Sequence, residues 1–354
     1  MNNLIIDQFH KLIEQIRAEY LHAQIENDVK EIEMHSYRLK QTKRVLNILL
    51  SLDFEIKHPS DMSGIPGVGE GTIKRIKEIL ETGHIAGLNA KYYNPAMMAK
   101  INSIRELLAV IGVGEKLART LVLEKNITNV DEFKKAVANK QIRVSRQVLL
   151  GLKYYDILKR NIPRTEIRQI EKYLSKKAKE IDANLDILIC GSYRRGRAIS
   201  GDIDVMIYHP DVKFVRQIYK LEELGIKPYL ELFVELLNKE EFLLDYLSQD
   251  KMKYMGFCKA WDNFINPKLT LVARRIDILW MPCNSLPAAM LYFTGPAQFN
   301  RDIRKLAKQK HLHLNEYGLF IVNSCGNHIP VPIHGEKDIF NELGMKYLTP
   351  SERI

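Results

Sequence analysis

Two aspartates, Asp202 and Asp204, stand one residue apart in the segment SGDIDVMI, at the start of an apolar run. Successive side chains of a strand alternate between faces, so the two carboxylates are predicted to point the same way, about 6.5–7 Å apart along the chain. Like charges that close repel each other, and an unpaired carboxylate beside an apolar core is costly. A divalent cation would remove both penalties, and oxygen-only ligands suit Mg²⁺. Taken alone, the pair favours a solvated turn at the start of a strand.

The neighbouring residues change this interpretation. The segment GSYRRGR, just before the aspartates, has a glycine, the Ser192 hydroxyl and three arginines, which suit a loop that binds a triphosphate. A third carboxylate, Asp277, lies in the strand-like run RRIDILW, and Arg275 is predicted on the same strand face, where it could orient Asp277. These groups are the ones that two-metal phosphoryl transfer requires, with one metal activating a hydroxyl and the other stabilising a leaving pyrophosphate.

A repeated tetrapeptide, GVGE, at 67–70 and 112–115 predicts two tight turns that each join two helices. Glycine permits positive φ and leaves backbone N–H groups uncovered at a helix N-terminus, where they favour a phosphate. Basic residues follow both turns: Lys74, Arg75, Lys116 and Arg119. Contacts of this kind hold a nucleic-acid backbone without reading its base sequence. The alternative is a pair of ordinary helical connections with solvated basic faces.

The elements that must position these groups follow from the apolar pattern. Up to about residue 160, apolar residues recur every three or four positions, which predicts helices. After Pro163, a charged helix leads into strand-like runs such as LDILICG, DVMIY and LFIVN. The chain is therefore predicted to be a multidomain protein, α-helical in its N-terminal part and α+β in its C-terminal part.

Composition limits the partners and the compartment. The 354 residues exceed the usual size of one domain, and the net charge of +10, with a pI of about 9.2, favours a polyanionic partner. Four scattered cysteines without a CxxC pair argue against a zinc site or a disulfide framework. They indicate a reducing intracellular compartment, with cytoplasm and nucleus not distinguished. Because no run approaches about 18 apolar residues, we expect a soluble protein without a membrane partner.

Several segments, in order along the chain, resemble the motifs of DNA polymerase family X, the group of polymerase β: CGSYRRGRAISGDIDV, RRIDIL, LYFTGPAQFNRDIR and NEY. The resemblance covers nearly the whole chain and implies four parts. Residues 1–93 would form a lyase-like helical DNA-binding domain with the first helix-hairpin-helix motif, and 94–160 a helical duplex-binding subdomain with the second. Residues 161–282 would form a nucleotidyltransferase-type palm, with a mixed β-sheet and helices. Residues 283–354 would form a small α+β subdomain that binds the nascent base pair.

The resemblance also implies roles for individual residues. Asp202 and Asp204 would bind two Mg²⁺ ions, replaceable by Mn²⁺, and Asp277 would bind the catalytic ion. The expected nucleotide-binding residues are Ser192, Arg195, Ser200, Gly201, Tyr292, Phe293, Gly295 and Asn300. The expected DNA-binding residues are Gly67, Gly69, Lys74, Gly112, Gly114, Arg119, Arg301 and Arg304. A monovalent cation is expected at the two hairpin turns.

Two departures from the family pattern carry consequences. Pro296 and Ala297 stand where the family continues with a serine and an aspartate that packs on the incoming base, so packing there is expected to be weaker or purely apolar. Arg75 stands where the family has its Schiff-base lysine, and an arginine stays protonated and cannot form that imine. Lys74 is then the first candidate nucleophile, and 5′-deoxyribose-phosphate lyase activity is left open.

The leading hypothesis is a template-directed DNA polymerase that fills short gaps in base excision repair. It would act as a monomer on gapped or primed double-stranded DNA with deoxynucleoside triphosphates; partner repair proteins cannot be read from the sequence. A template-independent terminal nucleotidyltransferase is one alternative, against which Arg304, the YFTG turn and the two hairpins argue. The other is a non-enzymatic helix-hairpin-helix scaffold, against which the three aspartates argue.

Overall fold

A computed structural model describes residues 2–25, 28–52, 54–86, 88, 95–158, 160–223, 227–323 and 326–353. The chain divides into two compact units, Met1–Arg143 and Val144–Ile354. The first unit is helical in its described part and the second combines helices with a mixed β-sheet, which confirms the predicted fold class. The four-part division at residues 93, 160 and 282 stays a prediction.

The helices of the first unit are α1 (Asn3–Ile25), α2 (Val29–Ser51), α3 (Glu70–Thr82), α4 (Pro95–Leu108), α5 (Glu115–Arg119) and α6 (Val130–Ala138). A short π-helical stretch, Thr120–Glu124, continues α5. The Asp28 side chain accepts hydrogen bonds from the backbone N–H groups of Lys30 and Glu31, which fixes the start of α2. Phe9 of α1, Leu49 of α2 and Ile76 of α3 are almost wholly buried in one core.

The second unit begins with α7 (Arg146–Tyr154) and continues through β1 (Ile162–Pro163), α8 (Arg164–Ile181), β2 (Asp186–Ile189), α9 (Gly191–Arg194), β3 (Ile199–Ser200), β4 (Ile203–Tyr208), α10 (Val215–Glu223), α11 (Tyr229–Lys239), β5 (Leu243–Gln249), β6 (Lys253–Lys259), α12 (Trp261–Ile265) and β7 (Ala273–Trp280). It ends with α13 (Leu286–Thr294), α14 (Ala297–Gln309), β8 (Leu312–Asn315), β9 (Gly318–Val322), β10 (His328–Val331) and α15 (Glu336–Glu342).

A five-stranded sheet with the order β2-β4-β7-β6-β5 forms the centre of this unit. Strands β4 and β7 run parallel, and the other neighbours in the sheet are antiparallel. Both parallel strands are rich in buried apolar residues, as expected for strands covered on two faces. Helix α8 packs on the sheet through Ile167, Ile170 and Leu174, which recur at helical spacing and have no exposed surface.

A smaller antiparallel sheet, in the order β10-β9-β8, lies near the C-terminus. Leu314 and Leu319 pair across β8 and β9, and they belong to one core with Phe299 and Ile303 of α14 and Phe340 of α15. One face of this sheet is therefore covered by helices. Across the parts of the chain that the structure describes, we find no helix with the length and apolar character needed to cross a membrane.

Candidate active site

The parallel pairing of β4 and β7 places two of the three predicted aspartates side by side. Asp204 and Asp277 are direct Cα partners in this register, so their side chains share one face of the sheet. Asp202 lies in the bend just before β4 and not on the strand itself, which differs from the strand geometry assumed for the pair. Asp202, just before β4, and the two aspartates on the adjacent strands thus lie close enough to interact electrostatically, on a part of the sheet that we call the carboxylate edge.

A glycine allows the preceding helix to approach this edge closely. Gly191, the first residue of α9, has a φ of +54°, and a Cβ built on it would lie 1.9 Å from Asp204 Oδ2. The backbone N–H of Cys190 donates to the carbonyl oxygen of Asp204 at 2.8 Å. Any side chain at residue 191 would therefore displace the Asp204 carboxylate.

Burial and mutual repulsion disfavour the ionised form of two carboxyl groups at this edge. Burial raises the pKa of the Asp204 carboxyl well above its usual value, and repulsion from Asp202 and Asp277 raises it further. Burial also raises the pKa of Asp277, although the nearby charge of Arg275 opposes that rise. Arg275 Nη2 donates to Asp277 Oδ2 at 2.8 Å, so the predicted same-face pair is present. A cation bound here would stabilise the ionised carboxylates.

Two buried polar atoms without a partner show which groups this edge fits. Asp277 Oδ1 and Ser200 Oγ are buried and have no hydrogen-bond partner. An orphaned carboxylate oxygen suits a metal ligand, and an orphaned hydroxyl suits an anionic oxygen. Within the described ranges, no three His, Cys, Asp or Glu side chains are already arranged to hold a metal ion.

The predicted nucleotide-binding residues come from two segments that the fold brings together. Ser192 lies in α9 and Arg195 just after it, whereas Ser200 ends β3 and Gly201 lies in the bend before β4. The second segment runs from the end of α13 to the start of α14: Tyr292 and Phe293 lie in α13, Gly295 in the turn between the helices and Asn300 in α14.

Direct contacts join these two segments. Arg195 Nη1 donates to the backbone carbonyl of Thr294. A Cβ built on Gly295, whose φ is +63°, would lie 3.5 Å from that guanidinium and 3.9 Å from Asn300 Nδ2. Asn300 Nδ2 also donates to the carbonyl oxygen of Tyr292 at 2.7 Å. Burial lowers the pKa of Arg195, while the charges of Asp204 and Asp202 raise it, so the arginine lies within electrostatic reach of the aspartates.

The two GVGE segments of the first unit form similar turns. Gly67 has a φ of +98° and Gly112 a φ of +87°, both in the region that favours glycine. In each turn the backbone N–H of the valine donates to the carbonyl oxygen three residues earlier at 3.0 Å: Val68 to Ile65 in the first turn and Val113 to Val110 in the second. The repeat therefore has a structural basis in the shared turn.

The helices that follow the two turns begin without a side-chain cap. Gly69 precedes α3 and Gly114 precedes α5, and neither has a side chain that could accept from the first N–H groups. Lys74 is exposed on α3. Arg119 at the end of α5 donates from Nε to the carbonyl oxygen of Glu115 at 3.3 Å. Arg75 Nη1 donates to the carbonyl oxygen of Gly71 at 3.1 Å, so its side chain runs back along α3.

Comparisons with known proteins agree with this geometry. Three family models match the chain: a DNA polymerase beta palm over residues 161–283, a DNA polymerase beta thumb over 289–354 and a helix-hairpin-helix domain over 2–85. DNA polymerase lambda of Rattus norvegicus is 31% identical over 325 residues, which cover 88% of this chain and 51% of that protein. The chain belongs to DNA polymerase family X.

A plant relative supports the same assignment. DNA polymerase lambda of Arabidopsis thaliana is 28% identical over 321 residues, covering 88% of this chain and 56% of that protein. The chain thus spans about half the length of the curated relatives it matches. The match to the helix-hairpin-helix model includes the first GVGE turn and ends before the second.

The sequence did not reveal the residues that hold residues 191–197, the GSYRRGR segment, in place; we call this segment the arginine loop. Arg194 donates to Glu336 Oε1 and Oε2 at 3.0 and 2.7 Å and to Thr294 Oγ1 at 2.7 Å. Glu336 also accepts from Arg353 Nη1 at 2.7 Å, and the Arg353 side chain is fully buried. Burial alone would raise the pKa of Glu336, yet the hydrogen bonds and charges of both arginines hold it below its usual value. No local pattern signals this network, because Glu336 lies 142 residues from Arg194.

The two arginines expected on the template side are held by protein groups. Arg304 Nη2 lies 3.2 Å from Glu316 Oε2, and its guanidinium lies 4.9 Å from the ring centroid of Tyr292. Arg301 Nη2 donates to Gln298 Oε1 at 2.6 Å. A DNA strand that used either arginine would exchange these contacts for phosphate or base contacts.

Proposed function

We propose that the protein is a template-directed DNA polymerase that fills short gaps during base excision repair, using deoxynucleoside triphosphates. The observation that carries this proposal is the register that sets Asp204 opposite Asp277, with Arg275 on Asp277. The loop that precedes β4 adds Arg195, which donates to the carbonyl oxygen of Thr294, next to Gly295. This combination supplies metal ligands, phosphate donors and a surface for the nucleotide within one unit.

Asp202, Asp204 and Asp277 would hold two Mg²⁺ ions, or Mn²⁺ in their place. The bound ions would lower the pKa of the primer 3′-hydroxyl and stabilise the charge of the leaving pyrophosphate. Arg275 fixes one oxygen of Asp277 and leaves Oδ1 free to bind.

The triphosphate is bound by the loop before β4. Arg195 and the Ser192 hydroxyl donate to its phosphates, and the unpartnered Ser200 hydroxyl beside Gly201 supplies a further buried donor. Catalysis by the chain itself is then positioning and charge compensation, as is usual for phosphoryl transfer.

The sugar and base of the incoming nucleotide lie against the α13–α14 turn in this proposal. Tyr292, Phe293 and Gly295 line the sugar side, and Asn300 reaches the minor-groove edge of the base. Arg301 and Arg304 are assigned to the template strand. Gapped or primed duplex DNA is gripped through the two hairpin turns, aided by a monovalent cation at each, and the protein acts as a monomer.

The lyase step does not follow from the residues of the first unit. Arg75 stands at the position of the family's imine-forming lysine and is bound to its own helix. Lys74 is exposed on the neighbouring position of α3 and is the nucleophile if the activity is present. We assign this unit to DNA binding.

Primer extension on a duplex with a one-nucleotide gap tests the proposed function, with and without a 5′-phosphate on the downstream strand. Each of the four deoxynucleoside triphosphates is supplied alone, and a single-stranded primer serves as the control without a template. The proposal requires that the nucleotide complementary to the gap be incorporated far faster than the others. Equal incorporation on the control would indicate a terminal transferase, and DNA binding without incorporation would indicate a scaffold.

A further inference from the structure

Three aromatic rings lie together on the open face of the small C-terminal sheet. His313 of β8 is the register partner of Phe320 of β9. His328 of β10 pairs with Val322, which lies two residues after Phe320 on the same strand. Because side chains alternate along strands, these residues lie on the face opposite Leu314 and Leu319, which belong to the core. We call His313, Phe320 and His328 the ring platform.

The rings form a nearly continuous surface. The centroids of His313 and His328 are 4.7 Å apart with planes 28° from parallel, and that of Phe320 is 5.9 Å from His328. A Cβ built on Gly318 would lie 3.2 Å from Phe320 Cζ, so this ring lies down over the strand backbone. Both histidines are exposed and Phe320 is half-buried. Asn315 Nδ2 lies 3.3 Å from His313 Nε2 and steadies that ring.

A basic groove adjoins the platform. It has a volume of about 570 Å³, and its lining includes Arg304, Lys308, His311 and His313 itself. Among the residues that the structure describes, no Asp or Glu lines this groove. The lining cations Arg304 and Lys308 therefore suit a phosphate backbone that runs beside the rings, for which Arg304 would exchange its ion pair with Glu316.

We propose that the ring platform stacks the bases of single-stranded DNA, with Arg304 and Lys308 binding its phosphates, and that the strand is the unpaired template ahead of the primer end in substrates that lack a downstream strand. Exposed aromatic rings beside a cationic groove are the combination that binds single strands, because every base offers a face to stack. A duplex covers those faces with its own neighbouring bases. The stacked arrangement of His313 and His328 also disfavours a shared metal, since the nitrogen lone pairs of stacked rings lie in separate planes and do not converge. This inference rests on the proposed polymerase function for the identity of the strand.

Fluorescence anisotropy with three labelled DNAs tests the proposal: a single-stranded oligothymidylate, a primed template with a long single-stranded 5′ overhang, and a duplex in which the template base of a one-nucleotide gap is the one unpaired base. The variant replaces His313 and His328 with Ala and Phe320 with Leu. We expect it to bind the first two DNAs about tenfold more weakly and the gapped duplex as the wild type does. The matched control, Ile321→Ala with Ile329→Ala, removes exposed apolar side chains from the other face and should bind all three normally.

A second variant separates the phosphate contacts from the stacking. Lys308→Ala should reduce the salt dependence of binding to the overhang DNA by about one counterion, whereas the ring variant should keep the wild-type slope. Unchanged binding of the overhang DNA by the ring variant would overturn the proposal. An equal loss of affinity for the gapped duplex would also overturn it. If EDTA weakened binding of the overhang DNA by the wild type, the three residues would instead form a metal site. These assays measure binding alone, so they separate this inference from the proposed polymerase function. If the wild type did not incorporate nucleotides but the ring variant still bound single-stranded DNA more weakly, the polymerase function would be contradicted and the binding role of the platform would remain.

Discussion

Removing the Glu336 carboxylate should destabilise the second unit strongly. In Glu336→Ala, the guanidinium groups of Arg194 and Arg353 lose the carboxylate that they share, while both positive charges stay in their places in the protein. The Arg353 side chain is fully buried, the Glu336 side chain is 6% exposed and the Arg194 side chain is 20% exposed, so water can replace little of what is lost.

The size of the effect follows from these contacts. Removing one partner of a buried ion pair costs about 3–5 kcal/mol, because the remaining charge is left uncompensated. Arg353 keeps hydrogen bonds to the Leu348 carbonyl oxygen from Nε and Nη2, at 3.2 and 3.1 Å, which places the loss at the lower end, about 3 kcal/mol. For a unit of this size that loss lowers the melting temperature by about 6–12 °C. Because Arg194 precedes Arg195, the affinity for nucleotide should fall as well.

Urea denaturation of the full chain measures the first quantity, and the KM for the incoming nucleotide measures the second. Glu342→Ala, an exposed glutamate on the same helix, is the matched control and should unfold as the wild type does. A double-mutant cycle with Arg353→Met isolates the pair and should show coupling of about 1–3 kcal/mol. If Glu336→Ala unfolded at the same urea concentration as the control, the contacts of Glu336 with Arg194 and Arg353 would be shown not to stabilise this unit.

The same pair predicts a pH dependence. The pKa of Glu336 is lower in the folded protein than in the unfolded chain, where it lies near 4.3. Its contribution to stability is therefore complete above the unfolded value and is lost as the pH falls through the folded value. The difference in stability between the wild type and Glu336→Gln should be constant from about pH 6 upward and shrink in acid. A difference that grew in acid would contradict the assignment.

Further outcomes concern the glycine beside the carboxylates and the lyase position. Gly191→Ala should sharply reduce nucleotide incorporation, because its Cβ would meet Asp204 Oδ2. Gly196→Ala, also at positive φ but with no atom within 4 Å of its Cβ, should cost only about 1–2 kcal/mol of backbone strain; equal activity of the two variants would refute the steric argument. Borohydride trapping on a 5′-deoxyribose-phosphate end should give no adduct with the wild type and an adduct with Arg75→Lys; a wild-type adduct lost in Lys74→Ala would instead establish Lys74 as the nucleophile.

The palm was readable from the sequence because its signals are local. The apolar run after Asp204 predicts a buried strand, and the RRIDIL segment predicts another with Arg275 and Asp277 on one face, as the structure has them. The parallel register that sets Asp204 opposite Asp277 could not be read in this way, because strand order depends on packing between distant segments.

Interactions between distant residues account for what the sequence did not reveal. Glu336 and Arg353 look like surface charges in the segments GEKDIF and PSERI, and only the fold shows them buried around Arg194. The ring platform was not predicted from the sequence for a related reason. His313 and His328 are 15 positions apart, and they meet only because β9 pairs with both of their strands.

The central claim is that Asp204 serves nucleotide transfer and not DNA binding. Asp204→Ala is compared with Asp262→Ala, an exposed aspartate of the same unit, in single-turnover filling of a one-nucleotide gap with Mg²⁺. Binding of the same gapped DNA is measured in parallel. We expect incorporation by Asp204→Ala to fall by about 10²–10³ or more, while its gapped-DNA affinity stays close to that of the wild type and Asp262→Ala is unaffected in both. Substantial incorporation by Asp204→Ala would contradict the metal assignment and the mechanism built on it.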